Sequence, residues 1–287
     1  MNWKPLTAAA VTFAVMTAAA PGQSLPNPFF AMDTGTRDAM HKTPEEQVAL
    51  IKELGFAGIG PIYHGVADLQ QWFAALDKAG LKMFVLYVPL RLDAIEASVT
   101  SLKEVATALK GRDTMLWLYV TDKGRAPSST EDDDAAVKAL RDIASFAQMA
   151  GLRVAMYPHT GFYVARVEDA ARLAGKAGCK NLGLTFNLCH WLKVDGKDLD
   201  ATLKAAQPYL FCVSINGADV DGKDWKALIQ PLDCGTYDVA QLLRRLAKMG
   251  YTGPIGLQHY GILGSAHENL KHSIEGWKKL SAAAMKE

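Results

Sequence analysis

The chain has 287 residues, 49% of them hydrophobic and 21% charged, with 31 basic residues against 30 acidic ones. Such a composition supplies a large apolar core, and a formal charge of +1 leaves no electrostatic footprint for nucleic acid or an anionic membrane surface. No low-complexity tract or linker divides the sequence, so a single domain is expected over residues 23–287.

The N-terminus differs in kind from the rest of the chain. Lys4 supplies a positive charge, residues 6–20 are apolar and rich in small side chains, and Ala20 and Gly22 suit a signal peptidase. The apolar run, about 15 residues, is short of the roughly 20 needed to span a bilayer. Residues 1–22 therefore read as a signal peptide. The expected product is an exported protein, periplasmic or extracellular, with no stable membrane association after cleavage.

From residue 27 onward, short apolar segments alternate with amphipathic ones. Strands are predicted at 27–33, 56–62, 81–89, 114–121, 152–158, 181–187, 209–215 and 253–258, starting on average about 32 residues apart, the length of one βα unit. Most are apolar throughout, as parallel strands covered on both faces must be. Thr43-Pro44-Glu45-Glu46 combines an N-cap, a first-turn proline and a capping-box glutamate, and Ser265-Ala266-His267-Glu268 is a second box. Asp132, Asp133 and Asp134 are expected to cap a helix over 131–150. Gly55, Gly80, Gly111, Gly151, Gly178 and Gly250 stop helices before the next strand. Eight such units, with no glycine-rich phosphate loop after the first strand, predict an α/β protein of one closed (β/α)8 barrel.

In such a barrel the working residues sit at the C-terminal ends of the strands. Those positions hold Asp33, Tyr63 and His64, Tyr87 and Arg91, Tyr119 with Asp122 and Lys123, Tyr157 and His159, Asn187 and His190, Ser214 and Asn216 with Asp219, and Gln258 with His259. Four of the seven histidines stand there, and His267 opens the last helix. Phe162, Tyr163, Trp191, Trp225, Tyr237 and Tyr260 accompany them, and aromatic faces beside amides, hydroxyls and imidazoles suit a polyhydroxylated ligand. Cys179, Cys189, Cys212 and Cys234 fit no zinc spacing. Cys189 and Cys234 are the first pair to test for a bridge, but a core this large needs no staple and free thiols are expected.

Tyr157-Pro158-His159-Thr160-Gly161, Thr185-Phe186-Asn187-Leu188-Cys189-His190-Trp191, Ser214-Ile215-Asn216-Gly217-Ala218-Asp219 and Gly256-Leu257-Gln258-His259-Tyr260-Gly261 resemble strands five to eight of the xylose isomerase-like TIM barrels, the superfamily of sugar and sugar-phosphate isomerases and epimerases. The resemblance covers about residues 27–280 and implies a small carbohydrate as substrate. It also implies a divalent cation (Mn, Zn or Mg) held by Glu, Asp, His and Glu on those four strands, with carboxylates moving a proton beside a sugar carbonyl. The matching positions here are Tyr157, Asn187, Ser214 (or Asn216) and Gln258, which bring no formal negative charge, so no cofactor is expected. His190 and His159 match histidines of the family pattern. The expected catalytic set is then His159, His190 and His64 with Asp122 and Lys123 as partners. Tyr157, Asn187, Trp191, Ser214, Asn216, Gln258 and His259 are expected to bind substrate, with Trp191 and the loop 160–163 closing over it. The alternatives are a sugar-binding barrel without catalysis and a lyase or hydrolase acting on oxidised sugars; neutral charge and missing zinc ligands argue against the superfamily's endonuclease branch.

Overall fold

A computed structural model describes residues 24–194 and 196–286; the expected signal peptide lies outside the described residues. Strand and helix alternate along the chain as β1 (Phe29–Met32), α1 (Pro44–Leu54), β2 (Gly58–Gly60), α2 (Val66–Ala79), β3 (Lys82–Met83), β4 (Val85–Arg91) and α3 (Ile95–Ala108). Then come β5 (Met115–Thr121), α4 (Asp133–Met149), β6 (Val154–Met156), α5 (Val167–Ala177) and β7 (Leu182–Asn187). The chain continues through α6 (Leu188–Lys193), α7 (Leu199–Ala206), β8 (Leu210–Ile215), α8 (Trp225–Leu228), α9 (Val239–Lys248), β9 (Ile255–Leu257) and α10 (Ala266–Ala284).

All strand pairs are parallel, in the order β3-β2-β1-β9-β8-β7-β6-β5-β4. The two ends of that order are halves of one strand, interrupted at Phe84. Phe84 N–H donates to Ile59 (2.9 Å) and its carbonyl accepts from Met115 (3.0 Å), while Tyr87 N–H donates to Pro61 and Tyr63 N–H to Tyr87. The ring of eight strands closes through these bonds, as the alternation predicts.

Helix starts follow the sequence signals unevenly. Thr43 and Glu46 form the reciprocal box with Pro44 at the first turn, and the helix ends at Gly55 with φ +86°, where a side chain would be strained. At Ser265 only half the box forms, because the Glu268 carboxylate turns to His267 instead. The acidic run does not cap as expected: α4 begins at Asp133, and Asp132 stands at the N-cap without a side-chain bond to the helix, its carboxylate paired with Arg125 instead. Buried Asp133 accepts from Arg172 and Lys176 of α5 and from Tyr163 Oη, locking the two helices together. Burial raises its pKa, but those donors overcome burial and hold it below the usual carboxylate range.

Two layers of apolar packing result. One lies between strands and helices, with Ile51, Trp72, Leu140, Leu173 and Leu243 nearly inaccessible. The other fills the barrel: Phe30, Met32, Val85, Met115, Trp117, Ala155, Tyr157 and Cys212. Alternate residues of each strand enter it, as the period of two requires. Phe30 fits because Gly60 and Gly256 face it; a Cβ at Gly256 would come within 2.6 Å of its ring. Trp117 Nε1 donates to Thr185 Oγ1 across the interior, satisfying the one polar atom of that indole. All four cysteines are free thiols, so the Cys189–Cys234 bridge does not form. Among the described residues, no helix is long and apolar enough to cross a membrane.

Candidate functional site

At the C-terminal ends of the strands a cavity of about 320 Å³ opens above the interior layer. Its polar lining is Asp33, Thr34, Tyr157, His159, His190 and Gln258; its apolar lining includes Met32, Ile62, Tyr87, Trp225, Ile229 and Tyr260. No lysine or arginine is among the described residues that line it. A second cavity, about 280 Å³, lies at the opposite end near Arg153, Phe211 and Tyr251, where the strands begin.

The floor of the strand-end cavity is a chain of neutral groups. Asn187 Nδ2 and Gln258 Nε2 (3.3 Å) both donate to Tyr157 Oη. The amide orientations are fixed from behind: Cys189 Sγ donates to Asn187 Oδ1 (3.2 Å), and Tyr260 N–H donates to Gln258 Oε1 (3.0 Å). With two N–H groups occupying its lone pairs, the Tyr157 phenol keeps its own O–H for a ligand. Complete burial raises its pKa well above 10, so the hydroxyl stays protonated. Three of the four positions that the resemblance assigns to a divalent cation are thus bonded to one another. Their lone pairs are committed, and none is a carboxylate, so they are a poor fit for such an ion. Ser214 is buried beside Met32, its Oγ 3.9 Å from the sulfur. Asn216 donates to the carbonyls of Gly217 and Leu228, both at 2.7 Å, and anchors the β8 loop. Neither residue lines the cavity.

Two histidines form one wall. Backbone hydrogen bonds set their tautomers. His159 Nδ1 lies 2.9 Å from the Thr160 carbonyl, which only accepts, so Nδ1 carries the proton and Nε2 is left as a base. His190 Nδ1 accepts from Thr160 N–H (3.2 Å), so its proton sits on Nε2. The ring centroids are 4.0 Å apart, and Phe162 stacks on His159 at 3.9 Å. Burial lowers the pKa of both, and of His190 well below 6.5, with the neighbouring imidazole adding to the effect. Both rings are neutral at pH 7.

The facing wall holds a carboxyl group. Asp33 follows β1, four strands around the eight-strand ring from β6, and therefore stands opposite His159. It is 1% exposed. Oδ2 accepts from Arg37 (2.7 Å) and Ile62 N–H (3.0 Å), while Oδ1 has no hydrogen-bond partner. Burial raises the pKa despite the Ile62 N–H and the Arg37 charge. An unpartnered, almost inaccessible carboxyl oxygen in the wall of a cavity marks Asp33 as a candidate ligand contact. The sequence marked Asp33 as a polar strand end but assigned it no role.

Other expected site residues lie elsewhere. His64 is exposed at the end of β2, near enough to Asp33 to favour its ionised form. Asp122 accepts from Gly124 N–H (2.6 Å) in a surface turn, and Lys123 is exposed. None of the three lines the cavity. Buried Trp191 packs on Phe186 and donates to Thr202 (3.2 Å) behind the strands, so it does not close over the cavity. His259 points away from the cavity, with Nε2 2.7 Å from Ser273 Oγ of α10, and burial lowers its pKa to about 4. Tyr163 is tied to Asp133, which leaves Phe162 as the aromatic contribution of the loop 160–163.

Residues 48–280 match the family described as the xylose isomerase-like TIM barrel. No protein of curated function matches the sequence. Solved structures similar to it include 3-keto-D-glucoside 4-epimerase from E. coli, with 18% identity, coverage of 88% of this chain and 99% of that one, and a TM-score of 0.69. D-allulose 3-epimerase from Methylomonas sp. in complex with D-allulose has 14% identity, coverage of 90% and 99%, and a TM-score of 0.71. A barrel from Mycobacterium smegmatis in complex with magnesium has 16% identity, coverage of 91% and 98%, and a TM-score of 0.69. At these identities the likeness is one of fold.

Proposed function

The chain belongs to the xylose isomerase-like TIM barrel family, and from that premise we propose an isomerase or epimerase that moves a proton beside the carbonyl of an uncharged sugar without a metal ion. The observation that carries the proposal is the arrangement of Tyr157, His159 and His190 on one side of the cavity and Asp33 on the other.

Each group has a role its hydrogen bonds allow. His159 Nε2 removes the proton from the carbon next to the carbonyl. The electron pair moves onto the carbonyl oxygen, and the Tyr157 O–H and His190 Nε2–H donate hydrogen bonds to the resulting enolate. Asp33 reaches the opposite face of the sugar and, with its pKa raised, returns a proton there. Water then restores the two groups to their starting states. Return from the same face would regenerate substrate, and return from the other gives the epimer.

Substrate class follows from the lining. With no lysine or arginine among its described lining residues, the cavity favours an uncharged sugar over a sugar phosphate or sugar acid. Tyr87, Trp225 and the largely exposed Tyr260 offer ring faces to a pyranose or to a group attached to it. The volume is at the small end of the roughly 300–1,000 Å³ of ligand pockets, suited to one ring. The N-terminal pattern of residues 1–22 supports export, which would place the sugar outside the cytoplasm.

The test is carbon–hydrogen exchange. Protein in D2O is incubated with D-allulose, D-fructose and a methyl 3-keto-glucoside, and the proton beside each carbonyl is followed by NMR. Exchange on at least one probe, abolished by His159→Gln, is the expected result. A probe that binds in the cavity without exchange would favour a sugar-binding barrel instead, and absence of binding by all three would remove the sugar reading.

A further inference from the structure

A second group of chemically active side chains lies apart from the cavity, where the loop after β8 meets α10. Asp233, Cys234 and His272 place one ligand atom each within 4.8 Å of one another. We propose that these three side chains form a zinc site.

The donor set selects the metal. A thiolate, an imidazole and a single carboxylate oxygen suit Zn2+, whereas Mg2+ and Ca2+ prefer oxygen ligands alone. With thiolate and carboxylate both ionised, the complex of a divalent ion is neutral. Three protein ligands leave the fourth tetrahedral position to water. The partly exposed His272 side chain gives that water a route to the ion.

The positions are held before any ion arrives. His272 Nε2 and Asp233 Oδ1 are already 2.7 Å apart, and the second oxygen, Oδ2, is 3.6 Å from Lys279 Nζ. One carboxylate oxygen therefore faces the imidazole while a cation steadies the other, the outer support that metal-bound carboxylates need. The loop is pinned to α10 by Leu232 N–H on Ser273 Oγ (3.1 Å), and it turns through Cys234 N–H on Pro231 O (2.9 Å). Gly235, at φ +84°, lets the loop pass the Ala218 carbonyl, which a Cβ would meet at 2.2 Å. Gly276 lets Asp233 lie against α10. Binding replaces the contact between His272 and Asp233 with bonds to the metal and releases the thiol proton, so affinity rises with pH. The same loop carries Trp225 and Ile229 into the strand-end cavity, so an ion here would tie one wall of that cavity to α10.

The site is independent of the sugar reading, and its test needs no substrate. Tag-free, metal-depleted protein is titrated with ZnCl2 by calorimetry and with CoCl2 by absorption. The expected result is one ion per chain, a thiolate-to-cobalt charge-transfer band, and affinity lower by tenfold or more in Cys234→Ser and in His272→Gln. Cys189→Ser serves as a thiol control and leaves zinc binding unchanged. Absence of saturable binding overturns the proposal, as does binding that both variants retain or cobalt binding without the charge-transfer band.

Discussion

Histidines close the ends of β6 and β9 alike, yet His159 faces the cavity and His259 faces the helices. The difference is one of register. Tyr157 and His159 share a parity on their strand, and Tyr157 points into the barrel; Gln258 also points in, so His259, one residue on, must point out. One residue of offset separates a group that can take a proton from a substrate from one that holds α10 against the barrel. Trp191 and His190 repeat the lesson on a helix, where successive side chains are turned by about 100°. His190 meets the cavity and Trp191 packs behind it.

The sharpest way to break this comparison is to make the same substitution at both histidines. His159→Gln should lower turnover of whichever sugar exchanges in D2O by about 10²-fold or more, the scale of a lost general base, with little change in affinity. His259→Gln should leave turnover near wild type and lower the denaturation midpoint. Equal losses of activity would mean that both act through structure. Asp33→Asn extends the test to the facing wall. Turnover should again fall by about tenfold or more, because an amide cannot return a proton, while the weakened Arg37 contact at Oδ2 and the relief of burying a carboxyl offset each other to within about 1 kcal/mol. Urea melts at pH 7 alongside steady-state rates separate the two effects.

The barrel was legible because its signals are redundant: eight apolar segments, eight helices and glycines at most turns each imply the same closed sheet. The site was legible only in part. Strand-end positions followed from the fold, and they contain every polar group of the cavity except Thr34. Which of two adjacent residues faces inward depends on where each strand ends, and β2, β6 and β9 are only three residues long. His64 lies exposed beyond the short β2, while Asp122 and Lys123 follow the seven-residue β5 and turn away into a surface loop. Asp33 was visible as a residue, but its unsatisfied oxygen and its position opposite His159 exist only once the ring closes. The amide–phenol chain is similar. Tyr157, Asn187 and Gln258 suggested a lost cation site, while the mutual bonding that commits their lone pairs required the third dimension.

A smaller effect should appear in the pH dependence of stability. His259 has a folded pKa of about 4, lowered chiefly by burial and also by the charge of His272, against an ordinary value of 6.5. The unfolded chain therefore binds the proton more readily between those values. The stability from keeping this ring neutral is complete above pH 6.5 and is lost as pH falls toward 4, a difference on the order of 3 kcal/mol. His159 and His190 shift in the same direction and add to the loss. Denaturant midpoints measured from pH 7 to pH 4.5 should fall, and fall less steeply in His259→Gln. An unchanged slope would show that His259 does not titrate as its burial requires.

The smallest effect tests the helix side of the comparison. Trp191 is buried on Phe186, and its Nε1 donates to Thr202 Oγ1, which in turn donates to Glu168 (2.9 Å). Trp191→Phe keeps an aromatic ring there and removes the N–H, leaving Thr202 with its bond to Glu168. The loss should be about 1 kcal/mol, the net worth of one buried hydrogen bond plus a little packing. Sugar affinity should not move, because the indole lies outside the cavity lining. The neighbouring ring gives the contrasting case. Trp225 lies at the mouth, 5.3 Å from His190, with 37% of its surface exposed. Trp225→Ala should weaken binding of an exchanging sugar by several-fold with little cost in stability, since stacking on one exposed aromatic face is worth about 1 kcal/mol. If Trp191→Phe weakens binding as much as Trp225→Ala does, then α6 moves on ligand entry and the division between cavity wall and packing layer fails at this helix.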